Sequence, residues 1–217
     1  MADPVRRLCV FARAPLAGRV KTRLARSIGA ADALAAHEAL VANTLSQVCA
    51  DESGTAGSAQ IDYERELWIA GALDHPLVQT WAAQHSFALR QQTGADLGLR
   101  MAAALGRCLR EGAVGMVIGT DCPDIDVAYV SEGFAALEST DLVIGPVEDG
   151  GYGLIGLSQQ AADALQDVFS GIAWSTSDVL TQTLERASTR QLSVSLLKTI
   201  WDVDTAADWA RYLERQR

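Results

Sequence analysis

Histidine and cysteine are scarce in this sequence, and each scarcity excludes a class of site. Only three histidines occur, all in or beside segments with a helical pattern, which argues against a His-dependent catalytic triad and a His-rich zinc site. The four cysteines lie far apart and form no C-x-x-C pair; they are Cys9, Cys49, Cys108 and Cys122. We therefore predict reduced thiols in the core and a cytoplasmic location.

Long apolar runs are also missing. No run approaches the ~20 residues that a membrane-spanning helix requires, so we predict no membrane span. The first seven residues are basic, but the apolar stretch that follows is short and is broken by Arg13. This start is a poor match to a signal peptide.

Positive charge is in deficit. Lys and Arg number 18 against 27 Asp and Glu, which gives a formal net charge of −9 over 217 residues. A chain this acidic lacks the electrostatic footprint of a nucleic-acid-binding protein, although a local basic pocket for a small anion is compatible with it. Apolar residues make up 49% and charged residues 21%, which excludes a disordered chain, a collagen-like chain and a small disulfide scaffold.

Short apolar runs alternate with helical patterns along the chain. Strands are predicted at 7–13, 66–70, 87–91, 114–118, 142–144, 152–157 and 192–197. Helices are predicted at 22–50 with a break near Gly29, and at 74–84, 97–111, 128–137, 159–168, 178–187 and from 205. This alternation predicts a three-layer α/β/α fold in one domain, 1–217, with a mostly parallel central sheet and ligands at the carboxyl ends of its strands. The small polar residues 51–62 predict a surface loop.

The first strand leads into a basic turn. The run A-P-L-A-G-R-V-K-T-R places three basic residues on a glycine-containing loop that opens a helix, and this pattern is suited to holding a polyphosphate. The spacing matches neither a Walker A loop nor a dinucleotide fingerprint. The alternative is a solvated turn with a helix cap at Thr22. The candidate nucleotide-binding residues here are Ala14, Pro15, Gly18, Arg19 and Lys21.

Carboxylates follow two distant segments. Asp121 comes directly after the strand at 114–118, in G-T-D-C-P-D, and suits Mg²⁺ or Mn²⁺, which take hard oxygen ligands. Asp124 in the same run could instead cap the next helix. Near the end of the chain Asp202 and Asp204 alternate and would face the same way in an extended segment, although Asp204 or Thr205 could simply cap the last helix.

A glycine-rich segment follows the strand at 142–144. Its adjacent glycines allow close approach to a ligand, and its carboxylates could accept hydrogen bonds from ribose or sugar hydroxyls. The same pattern also fits a hairpin between neighbouring strands. The candidate residues for an acceptor or sugar pocket in this segment are Glu148, Asp149, Gly150, Gly151 and Tyr152.

Two weaker segments complete the candidate site. Gln92, Gly94 and Asp96 follow the third strand and could contact a nucleobase, or form an ordinary capped helix entry. The run W-S-T-S, with Trp174, Ser175 and Thr176, could bind an acceptor, although an Ser/Thr-type cap for the helix at 178 is the simpler interpretation.

Five runs of this sequence together resemble a bacterial family of GT-A-fold, nucleotide-diphospho-sugar transferase-like proteins. The runs are F-A-R-A-P-L-A-G-R-V-K-T-R-L-A, G-T-D-C-P-D, E-D-G-G-Y-G-L-I-G-L, W-S-T-S and D-V-D-T. That family is similar to phospholactate guanylyltransferases and, more distantly, to molybdenum-cofactor guanylyltransferases. The resemblance covers about residues 7–212 and implies a Rossmann-like GT-A fold.

The resemblance also implies roles for individual residues. Gly18, Lys21 and Arg23 would hold phosphates, with Lys21 and Arg23 neutralising charge on the β- and γ-phosphates. Asp121 and Asp204 would hold Mg²⁺ or Mn²⁺. Two departures stand out: the first loop lacks the G-G-x-G-T-R-L form of sugar-phosphate nucleotidyltransferases, and D-C-P-D replaces the D-x-D of many glycosyltransferases.

Three functions remain compatible with these residues. The first is nucleotidyl transfer from an NTP to a small phosphorylated acceptor with loss of pyrophosphate, which the basic first loop favours. The second is glycosyl transfer from a nucleotide-sugar donor, which the glycine-rich segment favours. The third is a non-catalytic nucleotide-binding module, against which the paired carboxylates argue. The base, the acceptor and the oligomeric state are left open by the sequence.

Overall fold

Seven strands form one sheet in the computed structural model, which describes residues 4–49 and 63–216. Their bounds are β1 Arg6–Arg13, β2 Glu64–Ala70, β3 Ala88–Gln91, β4 Val114–Gly119, β5 Leu142–Pro146, β6 Tyr152–Leu157 and β7 Val194–Leu196. Each strand overlaps a predicted one. The predicted surface loop at 51–62 lies outside the described residues.

Helices connect these strands. Their bounds are α1 Thr22–Ile28, α2 Ala30–Gln47, α3 Pro76–His85, α4 Leu97–Arg110, α5 Val127–Ala136, α6 Leu165–Val168, α7 Val179–Thr189 and α8 Ala206–Arg215, with a 3₁₀ helix at Gln159–Ala164 directly before α6. Gly29 separates α1 from α2 with a φ of 87°, which glycine adopts without strain, and this confirms the predicted break.

The strand order is β3-β2-β1-β4-β6-β5-β7, and the chain changes direction at β1. It runs outward from β1 through β2 to β3, then returns to the other side of β1 for β4. Both neighbours of β1 are parallel to it, and Phe11 lies opposite Gly119 at the carboxyl ends of β1 and β4. The loops after these two strands therefore leave the sheet side by side, at the position where open α/β sheets bind ligands.

One strand runs against the others. β6 lies antiparallel between β4 and β5, whereas the remaining pairs are parallel, so the sheet is mostly parallel as predicted. A tight turn joins β5 to β6, because the Val147 N–H donates to the Gly151 carbonyl at 3.1 Å. This turn confirms the hairpin interpretation of the glycine-rich segment.

Side chains on the two faces of the sheet belong to separate apolar clusters. Leu8 and Val10 of β1 pack in one cluster with residues of α2, α3 and α5. Cys9 and Phe11, which alternate with them, pack in the other with residues of α4, α6 and α7. Helices therefore cover both faces, and the three-layer prediction is confirmed.

The cysteines occupy the positions that their apolar neighbours predict. Cys9, Cys108 and Cys122 are buried free thiols, which confirms their assignment to the core, and Cys49 is half-buried. The hydrogen bond with the Cys108 thiol, together with burial, raises the pKa of Cys9. Within the described ranges, no helix is both long and apolar enough to cross a membrane.

Candidate functional site

The loop after β1 is held against the neighbouring strand end and then turns outward. The Ala14 N–H donates to the Ala70 carbonyl at 3.0 Å, and Ala14 and Pro15 are buried. Gly18 has a φ of 72° and, like Arg19, is exposed. Among the predicted nucleotide-binding residues of this loop, Ala14 and Pro15 are therefore buried against the sheet. Gly18 and Arg19 lie on the side of the loop that faces solvent.

The side chain of Lys21 is buried, which excludes the solvated-turn interpretation for this residue. Its side chain is only 4% exposed, and Nζ lies 2.6 Å from Asp121 Oδ1. Nζ also donates to the Val203 carbonyl at 2.5 Å. Lys21, rather than Thr22, is the residue that precedes α1, and no side chain caps the helix there. The alternative of a helix cap at Thr22 was therefore wrong.

Arg23 extends the same pattern on the surface. Its guanidinium forms a short ion pair with the Asp204 carboxylate, and the Arg23 side chain is mostly exposed. The structure therefore brings Lys21 and Arg23, two of the three basic residues of this segment, against the two predicted metal-binding carboxylates. The two pairs, Lys21–Asp121 and Arg23–Asp204, join segments about 100 and 181 residues apart in sequence.

The turn after β4 presents Asp121 to solvent on one side. Its side chain is 51% exposed, and its carbonyl accepts the Val203 N–H at 2.9 Å, which ties the C-terminal segment to this turn. Asp124 forms a 2.6 Å ion pair with Arg215 instead of capping a helix. Asp126 caps α5 by accepting the Tyr129 N–H, so the capping alternative for Asp124 was wrong.

Asp202 is the site residue that the predicted set omitted. It is half-buried, and burial together with the negative charges of Asp149 and Asp204 raises its pKa to about 6. Lys21 and Asp121 also act on it electrostatically. The alternation of D-V-D in the sequence was the signal for this residue, because both carboxylates of such a segment can reach one site.

His37 of α2 is a buried side chain that contacts the end of β1, where the first loop begins. Its side chain is buried, its ring contacts Trp81, and its Nε2 lies 3.0 Å from the Arg13 carbonyl at the end of β1. Burial lowers the pKa of His37, so the ring is neutral at pH 7. His37 therefore supports the loop from below, and its sequence context, an Ala-rich helix, gave no sign of this position.

The predicted acceptor-pocket segments lie against each other. The Leu180 N–H donates to the Gly150 carbonyl at 3.0 Å, and a Cβ on Gly150 would meet the Ser177 carbonyl oxygen at 2.1 Å. The rings of Tyr152 and Trp174 are 6.5 Å apart and nearly perpendicular. Both segments thus belong to one surface, built from the β5–β6 turn and the loop before α7.

Several of these side chains have structural partners. Glu148 forms two hydrogen bonds with Arg211, of 2.8 and 3.2 Å, and Asp149 Oδ1 accepts the Gly151 N–H at 2.9 Å. Thr176 Oγ1 donates to the Ala173 carbonyl at 2.8 Å, as an Ser/Thr-type turn does. Ser175 has a φ of 67°, which is uncommon for a residue other than glycine.

The segment after β3 is also shaped by local hydrogen bonds. Gln92 Nε2 donates to the carbonyls of Ala12 and Trp68, at 3.1 and 2.9 Å. Asp96 caps α4 by accepting the Leu99 N–H at 2.8 Å, which is the capped-entry alternative. A Cβ on Gly94 would lie 2.8 Å from the backbone nitrogen of Arg100, so the absence of a side chain at Gly94 allows the turn to close.

The carboxylates present are compatible with a divalent cation. Asp121 and Asp204 offer oxygen ligands of the type that Mg²⁺ prefers, and Asp202 lies near them. In the part of the chain that the structure describes, no group of three or more His, Cys, Asp or Glu side chains forms a metal cage. Mg²⁺ commonly uses one or two carboxylates together with substrate phosphates, so two carboxylates fit this metal.

Comparison with protein families gives one match that spans more than half of the chain. Residues 55–176 match the model of a family described as "Uncharacterized protein conserved in bacteria (DUF2064)". No curated protein matches the chain. The matched range contains Asp121 and both acceptor-pocket segments, whereas the first loop and Asp202 to Asp204 lie outside it.

Solved structures extend the comparison to the whole fold. A protein of Desulfovibrio desulfuricans G20, described as a nucleotide-diphospho-sugar transferase, is 28% identical with a TM-score of 0.81, over 97% of this chain and 87% of its own. A CMP:2-keto-3-deoxy-manno-octonic acid synthetase complexed with CTP is 14% identical with a TM-score of 0.53, over 98% and 99%. Rv0371c of Mycobacterium tuberculosis H37Rv, in complex with manganese, is 16% identical with a TM-score of 0.51, over 97% and 99%.

These likenesses confirm the predicted fold class. The two structures below 20% identity show the fold alone. The 28% identical protein of Desulfovibrio desulfuricans G20 supports the nucleotide-diphospho-sugar transferase superfamily that the sequence motifs resemble. The finer similarity to guanylyltransferases stays a prediction.

Proposed function

The chain belongs to the DUF2064 family, and we propose that it is a metal-dependent, nucleotide-using transferase. The best-supported reaction is nucleotidyl transfer from an NTP to a small phosphorylated acceptor, with release of pyrophosphate. The observation that carries this proposal is the pairing of Lys21 with Asp121 and of Arg23 with Asp204, at the reversal point of the sheet.

The charges at this point suit a phosphoryl reaction. An acceptor oxygen would attack the α-phosphorus, and the bond from that phosphorus to the bridging oxygen of the β-phosphate would break. Such a reaction needs positioning and charge neutralisation more than it needs a protein nucleophile. Lys21 and Arg23 would bind the leaving pyrophosphate, and Asp121 and Asp204 would hold Mg²⁺ or Mn²⁺, which supplies further positive charge to the phosphates.

The remaining predicted residues would bind the two substrates. Gly18 and Arg19 lie exposed on the loop that carries Lys21, so they are accessible to a triphosphate. The surface formed by the β5–β6 turn and the loop before α7 would receive the acceptor, with Gly150 and Gly151 allowing close approach. Gln92 and the turn at Gly94 would lie beside the base.

Glycosyl transfer is the second candidate. It is favoured by the 28% identical protein of Desulfovibrio desulfuricans, which is described as a nucleotide-diphospho-sugar transferase. The basic first loop favours nucleotidyl transfer instead, because a pyrophosphate leaving group needs more cations than the diphosphate of a nucleotide sugar, which stays attached to its nucleoside.

A thermal-shift panel separates these functions. Four NTPs and the common UDP-, GDP- and dTDP-sugars would each be tested with and without Mg²⁺ or Mn²⁺. A ligand at ~100 times its Kd adds about 2.7 kcal/mol, which raises the Tm of a chain of this size by roughly 5–10 °C. Metal-dependent protection by one NTP supports nucleotidyl transfer, protection by a nucleotide sugar alone supports glycosyl transfer, and metal-independent binding supports a non-catalytic module.

The role of Asp121 provides a sharper test. We expect Asp121→Asn to lower turnover by at least ~100-fold, because the amide binds a divalent cation poorly, while the fold remains intact. The matched control is Asp124→Asn, three residues on in the same turn, which loses only a surface ion pair with Arg215. Turnover and far-UV circular dichroism of both variants would be measured. Full activity in Asp121→Asn would contradict the proposed metal role.

A further inference from the structure

Lys21 Nζ lies between the Asp121 carboxylate and the Val203 carbonyl, with its side chain 4% exposed. An ammonium so little exposed is held by these partners rather than by water. The cation proposed to bind phosphate therefore already contacts the carboxylate proposed to bind the metal.

The backbone does not require a lysine at this position. Lys21 has φ 45° and ψ 45°, a left-handed conformation that costs most residues energy and that Asn and Gly tolerate best. Its carbonyl accepts the Ala25 N–H at 2.8 Å and so begins α1, a contact that any residue could make. The reason for lysine must therefore lie in the contacts of its side chain.

Those contacts set up a competition for Asp121. The Lys21 ammonium is 2.6 Å from one carboxylate oxygen, and a divalent cation on the same carboxylate would experience repulsion from it. The neighbouring Arg23 is engaged in the same way by Asp204. A polyphosphate offers oxygens that can accept the Lys21 ammonium, and Asp121 would then be released from the pair.

We propose that Lys21 is an exchange group, which competes with a divalent cation for Asp121 until a polyphosphate accepts its ammonium. Metal and polyphosphate consequently bind as a unit, and metal alone binds weakly. This inference rests on the proposed function, since it takes Asp121 as a metal ligand. It adds to that function a coupling between metal binding and polyphosphate binding, which follows from the Lys21–Asp121 ion pair.

The test measures binding of Mn²⁺ alone, by the electron paramagnetic resonance signal of the unbound ion. Lys21→Asn removes the ammonium and suits the left-handed backbone. We expect it to bind Mn²⁺ at least ~10-fold more tightly than the unmodified protein, because the competing charge is gone. Arg26→Met is the matched control, since it removes one exposed positive charge from α1, and its affinity for Mn²⁺ should stay within about twofold.

A second variant, Lys21→Met, guards against a folding defect in the first. Melting curves in EDTA would show that the variants are folded. If both folded variants bind Mn²⁺ no more tightly than the unmodified protein, the exchange role is overturned. That result leaves the proposed function standing if an NTP still protects the unmodified protein in a metal-dependent way, so the two failures are distinguishable.

Discussion

Gly150 is the residue with the least room for change in the candidate site. Its φ is 90°, and a Cβ would meet the Ser177 carbonyl oxygen at 2.1 Å. We expect Gly150→Ala to lower the free energy of unfolding by about 2–4 kcal/mol, because the substitution combines backbone strain with a backbone clash. Urea denaturation would measure it.

Gly119→Ala is the control for this prediction. Gly119 lies at the end of β4, has no positive φ, and has nothing within 4 Å of the position that a Cβ would take. Its replacement should change the free energy of unfolding by less than about 0.5 kcal/mol. Equal effects from the two alanines would show that the contact between the β5–β6 turn and the loop before α7 does not constrain Gly150.

Asp202 couples stability to pH. Its pKa rises from 3.8 to about 6 on folding, so the folded state binds the proton more tightly than the unfolded state does. The contribution of this group to stability is therefore complete below pH 3.8 and is lost as the pH rises to about 6. In EDTA, Asp202→Asn should be more stable than the unmodified protein at pH 7.5, by about 1–2 kcal/mol after allowance for partial exposure.

Urea denaturation at pH 7.5 and pH 5 would check this prediction. The gain from Asp202→Asn should shrink at the lower pH, where the carboxyl is already protonated in the folded state. Asp163→Asn, which changes an exposed carboxylate on the 3₁₀ helix, is the control and should show no such dependence. A gain that is independent of pH would mean that the charge of Asp202 is not the cause.

At the level of single elements, α8 depends on its first turn. Thr205 accepts the Asp208 N–H, and the Asp208 carboxylate accepts the Thr205 N–H at 2.7 Å, which forms a capping box. Thr205→Ala should lower the free energy of unfolding by about 1 kcal/mol, as measured by urea denaturation. Thr189→Ala, at the exposed end of α7, should change it by less than about 0.5 kcal/mol.

Element positions were largely predictable because the apolar pattern of each segment matches its burial. The run at 114–118 became β4, every residue of which except Gly119 is buried. The segment at 159–168, predicted as one helix, is a 3₁₀ helix followed by one turn of α6. Periodicity does not separate these helix types well over ten residues, because apolar residues recur at three-residue spacing in both.

The charged contacts of the site were not predictable in the same way. Strand ends indicated that Lys21, Asp121 and Asp204 would gather at one edge, because parallel strands bring their carboxyl ends together. The sequence could not show that Lys21 pairs with Asp121 or that Glu148 binds Arg211 of α8, since these pairs depend on how far each loop extends over the sheet. Asp202 was not among the predicted ligands because the resemblance implied Asp204 as the second metal ligand.

At the scale of the molecule, all seven described strands share one sheet, and the single domain stays a prediction that unfolding can test. We expect unfolding in urea to be a single cooperative transition. Tryptophan fluorescence reports on the apolar clusters on both faces of the sheet, through Trp81 in one and Trp68 in the other. Far-UV circular dichroism reports on the secondary structure. The two curves should coincide, and separated midpoints would indicate two independently folding units.

The ion pair and the hydrogen bond of Lys21 have a consequence for the synthesis of the protein. Lys21 contacts Asp121 and the Val203 carbonyl. The contacts of the first loop therefore cannot be complete until the C-terminal part of the chain has been synthesised. A ribosome adds about 5–20 residues each second, and the 182 residues that separate Lys21 from Val203 therefore take on the order of ten seconds or more to appear. Throughout that interval the proposed nucleotide site is incomplete, and we expect nascent fragments to bind neither nucleotide nor metal tightly.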